Sequence, residues 1–99
     1  MAVVELSIVP IGVQSTSLSS YVAGALKVLE KSPLQYELTG MGTIISGDLD
    51  EILKTIRLMH ESVFSAGAMR VITQIRVDDR RDKKASPEQK IRSVKEKLK

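Results

Sequence analysis

The sequence predicts an α+β domain of the ferredoxin-like kind, a βαββαβ antiparallel sheet with two helices on one face plus a C-terminal helix. Three observations carry this reading. Stretches rich in β-branched residues alternate with stretches whose apolar residues recur every three to four positions, in the order β-α-β-β-α-β. Two short runs, 35–39 and 43–46, flank Gly40-Met41-Gly42 as a hairpin does. The charge balance also changes near Asp79: residues 1–79 hold 6 basic and 9 acidic side chains, and residues 80–99 hold 9 and 3. A ferredoxin-like body at 1–79 with net charge −3 is therefore followed at 80–99 by a basic loop and helix of net charge +6, packed on the same domain or on a neighbouring subunit.

Residues 2–9 read as the first strand, with Val4, Leu6 and Ile8 on one face and Val3, Glu5, Ser7 and Val9 on the other. Pro10 and Gly12 end it. A helix from Leu18 to Lys31 follows, with Leu18, Val22, Ala25, Leu26 and Leu29 on one stripe and serines before it as caps. Ser32-Pro33 stops it. After the hairpin, Asp48 and Glu51 make a capping-box pattern, and Leu49, Ile52, Leu53, Ile56, Met59 and Val63 form the buried stripe of a second helix ending at Ala66-Gly67. The last strand is 70–77, with Val71, Thr73, Ile75 and Val77 opposite Ile72, Gln74 and Arg76. A charged loop at 78–84 leads to a third helix, opened by Ser86-Pro87 and carrying a narrow line of Ile91, Val94 and Leu98.

The chain has 99 residues, a formal charge of +3 and 42% apolar residues, enough for one core and too mildly basic to name a polyanionic partner. It has no Cys, which excludes disulfides, thiolate catalysis and sulfur-ligated zinc. Apolar runs fall well short of the ~18 residues that span a membrane, and Met1 to Glu5 lacks the basic start of a secretory signal. A cytoplasmic location is expected.

With two helices covering one face of the sheet, Val3, Glu5, Ser7, Val9, Ile72, Gln74 and Arg76 point to the open side, joined by Glu37, Ile44 and Ser46 from the hairpin. Aliphatic residues grouped on such a face point to sheet-to-sheet association of subunits, because contiguous exposed apolar patches mark interfaces. The stripe on the third helix fits the clamping of a neighbour. A homodimer or homotetramer is expected.

Catalysis finds little support. The one histidine, His60, falls at the edge of a helix stripe, where a structural role is the ordinary explanation. Asp48, Asp50 and Glu51 gather at a helix start, where the dipole favours them. Asp78 and Asp79 adjoin Arg80 and Arg81 and read as a salt-bridged loop. The same topology serves acylphosphatases, which need an Arg in the loop after the first strand and a nearby Asn. Residues 10–16 contain no Arg and the chain contains no Asn. No enzyme activity, metal or cofactor is expected. The hydroxyls of the 10–17 loop lead into a helix N-terminus, which serves either as ordinary capping or as an anion site. The basic C-terminal segment makes weak nucleic-acid binding an alternative, as is a structural or regulatory oligomer without a ligand. An aromatic content of 3% argues against base stacking on the sheet.

Several motifs together carry a family resemblance. Val-Glu-Leu-Ser-Ile-Val-Pro-Ile-Gly at 4–12 with Ser17-Leu18-Ser19-Ser20-Tyr21-Val22, then Met41-Gly42-Thr43 with Gly47-Asp48-Leu49-Asp50-Glu51, then Arg70-Val71, 78–83 and Ser93-Val94, resemble the signature of the small thiamine-binding proteins related to YkoF-like domains. The resemblance covers essentially the whole chain. It implies a ferredoxin-like domain assembled into dimers and tetramers, with a non-catalytic role in binding thiamine or its hydroxymethylpyrimidine moiety. Ser17 and Thr43 match family motif positions and are expected to bind ligand. Many relatives have Glu where this sequence has Ser46, which implies weaker or altered binding here. An aminopyrimidine and a thiazolium cation call for hydroxyls, carboxylates and an aromatic face, so Glu37, backed by Glu5 and Tyr36, is a further candidate on chemistry and expected face.

Overall fold

Alternating aliphatics, two capped or Pro-terminated helical stripes and a Gly-punctuated hairpin resolve into seven elements in a computed structural model describing residues 1–13, 18–82 and 87–98. They are β1 (Ala2–Pro10), α1 (Ser19–Glu30), β2 (Gln35–Thr39), β3 (Gly42–Gly47), α2 (Leu49–Ser65), β4 (Val71–Asp79) and α3 (Pro87–Lys97). The strands form one antiparallel sheet in the order β2-β3-β1-β4, the ferredoxin-like arrangement.

The register fixes which side chains share a face. Tyr36, Ile45, Val4 and Val77 lie in one row across the sheet, and Leu38, Thr43, Leu6 and Ile75 in the next. These rows face α1 and α2, where Val4, Leu6 and Ile45 join Ala25, Leu29, Ile52, Ile56 and Met59 in the core. Each fully buried aliphatic of this set stabilises the fold by about 1.5–3 kcal/mol relative to exposure. The other rows, Glu37-Ile44-Glu5-Arg76 and Gln35-Ser46-Val3-Asp78, lie on the face without α1 and α2, as the alternation predicts.

Several details differ from the sequence reading. β4 runs on through Asp78 and Asp79, which pair with Val3 and Ala2 instead of opening a loop. α1 is capped by Leu18 with no side-chain hydrogen bond, and Ser19 and Ser20 lie inside the helix. Leu53 is exposed, and Thr55 takes its place in the buried face of α2 by donating its hydroxyl to the Glu51 carbonyl at 2.8 Å. Ile75 and Val77 share the helix-facing side yet stay exposed, because they lie on the edge strand. The cap of α2 follows expectation: Asp48 Oδ2 accepts from the Glu51 backbone N–H at 3.1 Å.

The charged segment after β4 is laced by exposed pairs, Arg81 with Asp79 and Arg80 with Asp82. The hydrogen bond from Arg81 holds the Asp79 carboxyl below the usual carboxylate range. Lys90 of α3 forms an ion pair with Asp78, which ties the helix to the open side of the sheet. The α3 stripe of Ile91, Val94 and Leu98 is exposed. No helix among the described residues is long and apolar enough to cross a membrane.

Candidate ligand-binding site

A mismatch in strand length builds the first cavity. β3 pairs with β1 only from Ala2↔Gly47 to Leu6↔Thr43, whereas β1 continues along β4 to Pro10↔Val71. The end of β1 therefore outruns β3, and a wedge opens between β1, the 39–42 turn and the start of α1. Gly42 allows the turn to approach closely: a Cβ there would lie 2.6 Å from the Leu6 carbonyl oxygen. The resulting cavity of about 230 Å³ is walled by Leu6, Ile8, Leu18, Val22 and Leu26, and Met59 and Val63 of α2 also line it. This explains why Val22 and Leu26 are only half-buried although they lie on the α1 stripe.

Polar groups in this cavity are few and uncharged. The Thr39 hydroxyl is spent inside the turn, donating to the Gly42 carbonyl at 2.9 Å and accepting from the Met41 N–H at 3.2 Å. Thr43 differs. It is 6% exposed, lines the cavity, and its hydroxyl has no hydrogen-bond partner among the described residues. No side-chain oxygen or nitrogen among them is both sealed from solvent and unpartnered, so the Thr43 hydroxyl opens to the cavity. A hydroxyl so placed lacks water's full hydration and protein compensation alike, and a ligand donor or acceptor supplies what is missing. Tyr21, on the first turns of α1, brings a phenol and a ring to the same space. Exposed Met41 stands at the mouth.

The expected site residues do not form one cluster. Thr43 lies in this cavity. Ser17 lies outside the described residues. Glu37 and Ser46 are on the opposite face of the sheet, lining a second cavity of about 280 Å³ closed on one side by Glu88 of α3. Glu5 is next to Ile44 on that face, and its carboxylate meets Arg76 at 3.7 Å, the residue directly across the ladder. Tyr36 borders the second cavity at the sheet edge. Sequence reasoning missed Tyr21 as a site residue. The signal was present, since Tyr21 is three residues after Leu18 and four before Ala25, which puts an aromatic with a polar tip on the inward stripe.

His60 is structural in its surroundings: Nδ1 shares a hydrogen bond with Thr73 Oγ1 at 2.7 Å, and the ring packs edge-on against Phe64. No group of three or more potential metal ligands occurs among the described residues.

A family model described as "Thiamine-binding protein" matches residues 4–95. The chain belongs to the thiamine-binding protein family. A UPF0045 protein of Methanothermobacter thermautotrophicus is 46% identical over 99 residues, covering 99% of this chain and 100% of the relative. The crystal structure of a hypothetical protein of Methanocaldococcus jannaschii superposes with a TM-score of 0.87 at 39% identity, covering 96% of each chain. A Thermotoga maritima protein, provisionally described as one of thiamine biosynthesis or salvage, shares the fold with a TM-score of 0.79 at 19% identity, over 94% of this chain and 97% of that one. Membership of the thiamine-binding family accords with the resemblance read from the motifs, and these structures share the four-stranded α+β architecture.

Proposed function

We propose that this protein binds thiamine through its aminopyrimidine ring, or free hydroxymethylpyrimidine, in the cavity between α1 and the 39–42 turn, and carries out no reaction on it. The observation that carries the proposal is the unpartnered Thr43 hydroxyl in an uncharged cavity lined mostly by apolar side chains. A neutral ring with a few donors and acceptors matches such a lining. Size adds to the argument. At about 230 Å³ the cavity is below the ~300–1,000 Å³ of sites for drug-sized ligands, so it suits one six-membered heterocycle, with the thiazolium outside beside Met41. The family name and the description of the Thermotoga neighbour point to the same ligand class.

Isothermal titration calorimetry with thiamine and with hydroxymethylpyrimidine tests this. Saturable heat is expected, and Thr43→Val should weaken it by about 5- to 30-fold, the worth of one hydrogen bond in a desolvated site. Equal affinity in the variant, or no heat with either compound, refutes the assignment.

The working form we propose is a cytoplasmic homo-oligomer. Exposed Ile72 on the open face and the exposed α3 stripe favour association, as does the small core of a 99-residue chain. Light scattering on a chain truncated before Pro87 should report a smaller species than the full chain; an unchanged assembly counts against α3 as the clamp.

A further inference from the structure

We infer that the cavity on the opposite face of the sheet is a second, separate site for a small organic cation bearing N–H donors, such as a primary ammonium or an amidinium. This inference does not rest on the pyrimidine reading. Ser46 is 8% exposed, lines the cavity, and its hydroxyl has no hydrogen-bond partner among the described residues. Like Thr43, it is not among sealed unpartnered atoms, so it opens to the cavity it lines. Glu37 from β2 and Glu88 from α3 line the same space, and neither carboxylate has a cationic partner among the described residues.

The neighbouring acids are accounted for: Glu5 by Arg76, and Asp78 by Lys90. Two uncompensated carboxylates and an acceptor-capable hydroxyl thus converge on one cavity of about 280 Å³, beside the amide of Gln35. That set accepts hydrogen bonds and favours positive charge. A metal ion fits less well, since the rest of the lining, Met1, Ile44 and Tyr36, adds no further carboxylate. An organic cation uses the aliphatic wall as well, laying its hydrocarbon on Ile44 and its charge near the carboxylates. α3 contributes Glu88 and is tied down by Lys90, so this site needs the helix in place.

The test is a backbone amide NMR titration of the full chain with 1,4-diaminobutane, with neutral 1,4-butanediol and magnesium chloride as controls at matched concentrations. Saturable shifts are expected at residues 35–37, 44–46 and 88–91 with the diamine and with neither control. Glu37→Gln should weaken the diamine by about tenfold, since it removes a charged acceptor. Glu37 is exposed, so the variant keeps its fold, which the dispersion of the same spectra reports. Prior saturation with thiamine should leave the titration unchanged. Non-saturating shifts, an unchanged affinity in Glu37→Gln, the same shifts with magnesium, or displacement by thiamine would each overturn the inference.

Discussion

The two cavities lie on opposite faces of one sheet, and each is lined by a buried β3 hydroxyl that the fold leaves without a partner among the described residues: Thr43 towards the helices, Ser46 away from them. They are three positions apart on β3, an odd offset, so the strand's alternation sends them to opposite faces. Their surroundings diverge. Thr43 sits among aliphatic side chains with no charge, where a neutral ring costs nothing to desolvate beyond its own polar atoms. Ser46 sits beside Glu37 and Glu88, where a cation is drawn in and a neutral ligand has little to displace water with. The same local defect thus selects different chemistry according to the field around it.

The largest blow to the comparison should come from Gly42→Ala. The added methyl meets the Leu6 carbonyl, and the positive φ of 150° adds strain. A loss of about 1–3 kcal/mol in urea unfolding is expected from the overpacking, with loss of the pyrimidine site. Diamine binding should persist in whatever fraction remains folded; its parallel loss would mean that the two faces are not independent.

A sharper and smaller signal comes from the stability of Thr43→Val, measured by thermal melting. Replacing an unpartnered hydroxyl by a methyl of the same shape removes a desolvation cost, so the variant should melt at or slightly above the parent even as ligand affinity falls. A clear drop in melting temperature would mean that the hydroxyl is bonded within the protein after all.

The smallest effect is expected from Arg76→Ala. Its pairing with Glu5 is exposed and long, worth about 0–1 kcal/mol. Removing it leaves Glu5 as a third uncompensated carboxylate on this face, after Glu37 and Glu88. Diamine affinity should rise about twofold at low salt, and the gain should fade as salt screens the face. A salt-independent gain would place the effect in shape and not in charge.

Much of the fold was legible in the sequence because its signals are local and periodic. Strand alternation alone assigned Glu5, Glu37, Ile44, Ser46 and Arg76 to one face, and the Asp48 cap marked the start of α2 to the residue. What the periodicity lacks is relative length. Nothing in the spelling of β1 or β3 says that one outruns the other, and that offset is what hollows out the space around Thr43. The candidate site was therefore read as one cluster of hydroxyls and carboxylates, when the sheet divides Thr43 from Glu37 and Ser46. Leu53 was misassigned for a related reason: a helix stripe indicates which side faces inward, whereas the width of the covered strip depends on the partner surface.

β1, the earliest of these elements to be synthesised, lies between β3 and β4, and its partners in β4 are 61 to 77 positions further along the chain. Its outer edge has nothing to pair with until residues 71–79 have been made. Closing loops of that size carries its entropic cost before any ladder bond returns it, which slows folding in proteins of this contact order. A nascent chain leaving the ribosome should therefore hold its first strand in waiting, and a product cut short before Val71 loses the strand that completes the central pairing.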